Sequence, residues 1–422
     1  MSAESAEVGA PGTTHGRSAL DVLEARGFVA QCTDRAALAK SMEAGPVRFY
    51  VGFDPTADSL HIGHLLPVMA MYWLQQAGHE PVVVIGGGTG MVGDPSGKDK
   101  SRDFITAAQV DANIEGQRPQ FGRILDLAAD GEAPREGQGI LLNNADWLMS
   151  LGYIQFLRDI GRHFSVNRML TAESTRLRLE RNQGLSFIEF NYHLLQSYDF
   201  LVLTQQQGVT LQLGGNDQWF NILGGVDLVR RVEGREVHGL TVPLLQTADG
   251  KKMGKTEKGA VWLDAAKCAP FDYFQYWVNV QDADVVRFLK LYTTLPLDRI
   301  EALAQLKGAD VREAKRVLAF EATKLVHGET VAREADAAAR KVFSGKGASP
   351  DAPSVELELP MGILDVLMAA NLAKSKGEGR RLVRQGGVRI GDAKVSDPET
   401  QVTESTLVWK GKKRVVQIIA AG

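Results

Sequence analysis

Cysteine is nearly absent: Cys32 and Cys268 are the two in 422 residues, and they lie far apart in the chain. That excludes a disulfide framework and the paired spacing of a structural zinc site, and fits two reduced, buried thiols of a cytosolic protein. A strong charge of either sign is missing too. The 48 Lys and Arg stand against 51 Asp and Glu, a net of -3, so no overall basic balance advertises nucleic acid. No apolar stretch is long enough to cross a membrane. The start of the chain lacks the apolar core of a signal peptide and the arginines of a transit peptide, and 1–17 reads as a disordered leader. The glycine-rich segment from Gly86 to Arg102 lacks the Gly-Lys-Ser/Thr end of a P-loop. There is no Ser-His-Asp or Cys-His set for nucleophilic catalysis, no metal cage and no long internal repeat.

What is present is size and local pattern. A chain of this length exceeds one compact core, and roughly 150 residues per domain implies about two or three domains. Its charge is unevenly spread: Pro360 to Gly422 carries 11 Lys and Arg against 6 Asp and Glu, leaving 37 against 45 in the rest. A basic tail on an acidic body suits a phosphate-binding appendage, and on charge alone a solvated face explains it equally well. In the first half, short apolar runs alternate with helical spacing. Phe49–Phe53, Pro81–Ile85, Ile140–Leu142 and Val209–Leu213 read as buried strands. His64 to Ala77 reads as a helix ending at Gly78, with Pro67 tolerable only near its start. Strand, glycine turn, helix, strand is the pattern of an α/β fold with a Rossmann-like doubly wound parallel sheet, in which ligands bind at the carboxyl ends of strands. Trp147 to Thr204 is mostly helical and reads as an insertion in that sheet. The expected borders are 18–264 for the catalytic domain, 265–343 for a helical domain, 344–359 for a Gly/Ser/Pro-rich linker, and 360–422 for a small α+β domain.

Five segments carry chemistry. YVGFDPTADSLHIGHL (Tyr50 to Leu65) places His61 and His64 three residues apart at a helix start, with Gly63 between them and Thr56 nearby. Both imidazoles face one side of the first turn, where free amides and the helix dipole suit phosphates. A plain helix cap beside a surface residue is the alternative, and the strand-glycine-helix context weighs against it. GGGTGMVGDPSGKDKSR (Gly86 to Arg102) places Asp94 in a turn able to receive an ammonium group, and Lys98 and Arg102 at helical spacing for phosphate or an RNA end. In GLSFIEFNYHLLQSYDF, Tyr192, Gln196 and Asp199 share one helical stripe; a phenol, an amide and a carboxylate are costly to bury without a polar ligand, and a surface stripe is the alternative. QLGGNDQWFN leads from a strand through Gly215 into Asn216, Asp217 and Gln218, where Asn216 could simply cap a helix. GKKMGKT sets Lys252, Lys255 and Thr256 in a short turn able to meet a triphosphate, or to be a plain basic loop.

HIGH and KMGKT together resemble the paired signatures of class I aminoacyl-tRNA synthetases. The longer strings GFDPTADSLHIGHL, GDPSGK, YDF, GGNDQW and KMGKT are similar, in order and spacing, to the bacterial-type tyrosyl-tRNA synthetase family, from about Ser18 to the end. The resemblance implies that Tyr50 and Asp199 grip the tyrosine phenol. It implies that Asp94, Tyr192 and Gln196 bind the α-ammonium, with Gln218 beside the substrate. Thr56, His61 and His64 match phosphate-stabilising positions, with Lys252, Lys255 and Thr256 on a mobile loop and Lys98 and Arg102 near the leaving group. Gly52, Asp54, Gly63, Gly215 and Asp217 match nucleotide contacts, and Val51 stands where relatives often carry a polar residue. The tail from Met361 resembles a small RNA-binding module first named for a ribosomal protein, with Arg380, Arg381 and Arg384 toward the tRNA backbone.

The family further implies a homodimer, ATP as a substrate arriving with Mg²⁺, no tightly bound cofactor, tRNA as partner, an anticodon role for the helical domain and a cytoplasmic location. Catalysis then rests on positioning and charge stabilisation, which the imidazoles, lysines and hydroxyls can supply. Three rivals remain: a coenzyme-forming nucleotidylyltransferase with the same histidine signature, a tryptophan-specific relative, and an RNA-binding protein on a retired synthetase scaffold. The tail, the Tyr50/Asp199 pair and the intact signatures argue against each.

Overall fold

Valine-, leucine- and isoleucine-rich runs buried on both faces suit strands covered by helices on each side, and they make the middle of one sheet. The computed structural model describes residues 13–14, 17–96, 106–182, 184–244, 253, 255–256, 259–343, 354–391, 393–411 and 414–420. The chain divides into two compact units, Met1–Gly328 and Glu329–Gly422. In the first, β1 (Gln31–Cys32), β2 (Arg48–Phe53), β3 (Glu80–Ile85), β4 (Ile140–Asn143), β5 (Leu211–Gly215) and β6 (His238–Val242) form a sheet of order β1-β6-β5-β2-β3-β4. Neighbours from β6 to β4 are parallel, and β1 closes one edge antiparallel to β6. From β2 the chain winds one way to β3 and β4, and β5 and β6 lie on the other side. The crevice at the carboxyl ends of β2 and β5 is therefore the topological switch point.

The expected strands are all present, within two residues at their ends. The helix after β2 is α1 (Ile62–Gln76), capped by His61. It starts beside Gly63, as Pro67 requires, but Pro67 is its sixth residue and so lies inside the helix rather than in the first turn. Lacking an N–H, Pro67 leaves the carbonyl of Gly63 without its usual partner, and both residues line the cavity described below. The segment between β4 and β5 is helical, as expected, and ends in α2 (Phe187–Gln207), followed after β5 by α3 (Trp219–Glu233). The helices from Pro270 to His327, among them α4 (Val285–Tyr292), belong to the same compact unit as the sheet, so no break in compactness falls at 264/265.

A buried cation shows how this helical region is held. Arg26 is 3% exposed, and its guanidinium stacks 3.6 Å over the Trp73 ring. It donates to the carbonyls of Lys290 (3.1 Å), Thr293 (3.5 Å) and Leu295 (2.7 Å), where α4 ends and its last carbonyls need donors. Burial lowers its pKa to about 10, which leaves it charged.

The second unit holds a sheet of order β7-β11-β10-β8-β9, from β7 (Ser354–Leu357), β8 (Val388–Ile390), β9 (Ala393–Val395), β10 (Thr406–Lys410) and β11 (Arg414–Ala420). Two helices, α5 (Ile363–Ala369) and α6 (Lys376–Arg384), bury Ile363, Val366, Leu367 and Val383 against Val408 and Ile418. The expected linker at 344–359 needs correction: Ser354–Leu357 is the edge strand, paired parallel to β11, because Val355 and Leu357 pack on this core. Residues 344–353 and most of the expected leader lie outside the described residues, although Thr13–Thr14 pairs with Arg17–Ser18. No helix among the described residues is long and apolar enough to cross a membrane.

Replacing Arg26 by leucine removes the donor from three carbonyls at the end of α4, and is expected to cost about 3 kcal/mol in chemical denaturation of the full chain. A loss below about 1 kcal/mol would show that the carbonyls find other donors.

Candidate active site

A cavity of about 590 Å³ opens at the switch point, within the size range of small-molecule sites. The six side chains expected around an amino acid, Tyr50, Asp94, Tyr192, Gln196, Asp199 and Gln218, all line it. So do Gly52, Asp54, Thr56, His61, Gly63, His64, Gly215 and Asp217, expected around a nucleotide. Lys98, Arg102 and Lys252 lie outside the described residues. Lys255–Thr256 forms a two-residue strand against Gly259–Ala260, described for its backbone only.

The floor of the cavity is a carboxylate. Asp199 is 4% exposed; its oxygens accept from Asn144 Nδ2 at 3.0 Å and Trp147 Nε1 at 2.7 Å. Burial pushes its pKa up to about 7, although both hydrogen bonds pull the other way. The Tyr50 hydroxyl is buried beside it with no hydrogen-bond partner among the described residues, and the same is true of Gln196 Oε1 and Gln212 Oε1. Buried polar atoms of this kind are costly unless something pairs with them. Burial raises the Tyr50 phenol well above its ordinary range, so it stays protonated as a donor.

The stripe on α2 is real, and burial rather than solvent explains it. The helix is fixed by a capping box between Ser186 and Glu189, and Glu189 is held in turn by the buried Arg178 at 3.2 Å. Tyr192 donates to Asp54 Oδ2 at 3.0 Å, and the other oxygen of Asp54 accepts from Thr89 Oγ1 at 2.8 Å. Asp54, expected among nucleotide contacts, thus also sets the orientation of Tyr192. Asp94 accepts from the Ser96 amide at 2.8 Å and from Gln218 Nε2 at 2.7 Å. Asn216 caps no helix: its oxygen accepts from Gln31 Nε2 and the Thr241 hydroxyl, joining β1, β6 and the turn after β5.

The two histidines combine both readings offered by the sequence. His61 is the cap of α1: its Nδ1 accepts from the Gly63 amide at 3.0 Å, and His64 Nδ1 accepts from the His61 amide at 3.4 Å. The rings stack with centroids 3.8 Å apart and planes within 8°. With both Nδ1 atoms accepting, each neutral ring carries its hydrogen on Nε2. A Cβ on residue 63 would lie 2.8 Å from the His61 ring, so glycine there makes room for the cap itself rather than only for a ligand. The segment after KMGKT is tied to this turn, because Ile62 donates to Val261 and Leu263 donates to Leu60.

Sequence reasoning missed Asn144, Trp147, Thr89 and Gln212. A usable signal was present for Asn144: like the other site segments, it follows the carboxyl end of a strand. Gln212 carried one as well, a polar residue inside an apolar strand at the start of QLGGNDQWFN, whereas Trp147 gave no local sign. In the second unit, Arg380, Arg381 and Arg384 are all exposed on α6, while Val383 faces the core.

A family profile for tRNA synthetases class I (W and Y) matches residues 42–344, and an S4 domain matches residues 363–408. The chain is similar to the tyrosine–tRNA ligase of Caldanaerobacter subterraneus, 48% identical over 95% of this chain and 99% of the relative. It is likewise similar to that of Acetivibrio thermocellus, 50% identical over 94% and 98% of the two chains. Among solved structures it matches a C-terminally truncated mitochondrial tyrosyl-tRNA synthetase from Aspergillus nidulans with a TM-score of 0.69. That match is 31% identical and covers 78% of this chain and 94% of that one.

Asparagine is a good helix cap but offers no ring Nε2–H. His61→Asn is expected to hold stability within about 1 kcal/mol of the parent while slowing chemistry at the cavity by about 100-fold. Equal loss of stability and activity would reduce His61 to its cap role.

Proposed function

The chain belongs to the tRNA synthetases class I (W and Y) family, and on that premise we propose that its cavity divides into a tyrosine half and a nucleotide half. Its reaction is the ligation of tyrosine to tRNA, with ATP as a substrate. The single observation that carries the division is the floor of the cavity. A buried carboxylate, Asp199, and a phenol hydroxyl without a partner among the described residues, Tyr50, stand together, and a ligand with a polar ring substituent satisfies both. The substrate phenol donates to Asp199 and accepts from Tyr50. Its ammonium is met by Asp94, Tyr192 and Gln196 Oε1, and Gln218 lies beside the carboxylate end. A site that desolvates two phenol-directed groups rejects phenylalanine, which would leave both unpaired.

At the other end, His61 and His64 direct Nε2–H toward the triphosphate, assisted by the amide dipoles of α1. Gly52, Gly215 and Asp217 receive the nucleoside, and Thr56 adds a hydroxyl. The tyrosine carboxylate attacks the α-phosphorus; a new P–O bond forms, the bond to the bridging oxygen breaks, and pyrophosphate leaves. Magnesium enters as part of the nucleotide substrate. Lys98, Arg102, Lys252, Lys255 and Thr256 are assigned to the leaving group by their family positions. In the second step a ribose hydroxyl at the tRNA 3′ end attacks the acyl carbon and AMP leaves. No protein nucleophile takes part, so the rate comes from positioning and charge stabilisation. The exposed Arg380, Arg381 and Arg384 are assigned to the tRNA backbone, and the helices from Pro270 onward to anticodon recognition. The working location proposed for the chain is the cytoplasm.

A homodimer is part of the same proposal. The helices inserted between β4 and α2 expose Met149 (65%), Tyr153 (61%), Ile154 (74%), Val166 (58%) and Leu179 (51%), and α2 begins with Phe187 (68%). So many exposed apolar side chains in one stretch support an association face, and a second copy is the partner proposed for it. Ile154→Asp with Phe187→Asp is expected to give a monomer by sedimentation; an unchanged dimer would move the interface elsewhere.

The functional test is ATP–pyrophosphate exchange with each standard amino acid separately. Exchange with tyrosine alone is expected; exchange with tryptophan, or none, would overturn the reading.

The pH dependence follows from Asp199. Its ordinary pKa is 3.8 and its folded value about 7, so the unfolded chain gives up this proton first. Its contribution to stability therefore falls as pH rises from about 4 to about 7. Accepting the substrate phenol requires the ionised form. The KM for tyrosine in exchange is expected to rise as pH falls from 8 to 6, with the KM for ATP little changed; a flat tyrosine profile would exclude Asp199 as the acceptor.

A further inference from the structure

We propose that His193 is a positioning residue for the ammonium subsite, acting on Asp94 through Asn221 and Gln218. The inference rests on the reading of Asp94 as an ammonium ligand and adds a residue outside the cavity. His193 follows Tyr192 on α2, so it points away from the stripe that lines the cavity, toward α3.

The direction of each hydrogen bond along the relay follows from its end. Asp94 is a carboxylate and accepts, so Gln218 must present its amide N–H to it, at 2.7 Å. Gln218 Oε1 then faces Asn221, which must present Nδ2, at 3.2 Å. That leaves Asn221 Oδ1 facing His193 Nδ1 at 3.1 Å, and Nδ1 must donate. Asn221 Nδ2 also reaches the Ser96 hydroxyl at 3.4 Å, and the Ser96 amide donates to the other oxygen of Asp94 at 2.8 Å. A rotated Asn221 amide would set Oδ1 against Gln218 Oε1, force that side chain over, and withdraw the donor from Asp94. His193 is the one member that can donate only when neutral at Nε2 or fully protonated, and burial lowers its pKa to about 4. Its single proton is therefore on Nδ1 near neutral pH.

The ring is held for this task. Phe220 lies 4.6 Å and Phe164 5.4 Å from its centroid. A Cβ on Gly224 would meet its Cε1 at 2.3 Å, so glycine in α3 is what admits the ring. Asn221 is 6% exposed, and a buried amide chain of fixed direction is costly to reverse.

The test compares two ligands on the full chain: tyrosine, and 3-(4-hydroxyphenyl)propanoate, which keeps phenol and carboxylate but has no ammonium. His193→Met fills the space without a donor; His193→Asn places an amide N–H at the Nδ1 position; His193→Gln carries its donor too far, at the Nε2 position. Met and Gln are expected to weaken tyrosine about fivefold and leave the propanoate within about twofold, while Asn stays within about twofold of the parent for both. Equal weakening of both ligands, or an Asn variant as poor as Met, overturns the proposal. Asp94→Asn separates the two levels of the argument. If it leaves the preference for tyrosine intact, the ammonium reading itself fails. If it abolishes that preference and the Met and Gln variants keep it, only the role of His193 fails.

Discussion

A carboxylate buried among neutral donors sets the terms for the rest of this molecule. Asp199 has two oxygens, and among the described residues they are met by Asn144 and Trp147 rather than a cation, which leaves its charge expensive until a further donor arrives. Asn144 is itself fixed. Its oxygen takes the Gly88 amide at 2.8 Å, and its nitrogen reaches the Thr89 hydroxyl at 3.0 Å. Thr89 binds Asp54, and Asp54 binds Tyr192. One network thus joins the carboxyl ends of β2, β3 and β4 to two turns of α2. The glycines after β3 belong to it: a Cβ on Gly86 would lie 2.2 Å from Asp54 Oδ1. The sheet and its switch point position these groups, and the groups in turn require the sheet to hold its register.

The two ends of the cavity then differ in kind. The end assigned to tyrosine is rich in buried polar groups, and the Tyr50 hydroxyl and Gln196 Oε1 there have no partner among the described residues. The end assigned to the nucleotide is a helix start, where amides, stacked imidazoles and the dipole of α1 favour anions. A carboxylate attacking a phosphate at the junction brings two anions together, and the cations of the signature segments are the groups proposed to offset that repulsion. In the proposed division, burial supplies selectivity at one end and charge supplies rate at the other.

How much of this was legible beforehand depends on the reach of each interaction. The strands of the sheet and the α2 stripe were readable because burial repeats at a short period, and the histidine pair because a helix start makes neighbours of residues three apart. Pro67 was misjudged because helix start rules describe backbone donors, and here an interior proline beside the cavity costs only one carbonyl bond. The strand Ser354–Leu357 was hidden inside a glycine- and proline-rich stretch, since its partner β11 lies some 60 residues later. Trp147 was unreadable for the same reason: its contact with Asp199 spans 52 positions and leaves no local pattern. The chemistry of the site was thus carried by strings, and its support by contacts between strings.

The most direct test of the central claim is the proton balance of tyrosine binding, measured by titration calorimetry at pH 6.5 in buffers of different protonation enthalpy. If the phenol is received by Asp199, binding favours the ionised carboxylate, and the complex should release a fraction of a proton that is absent when Asp199 is replaced by alanine. Binding with no proton released, or with a proton taken up, would contradict the account.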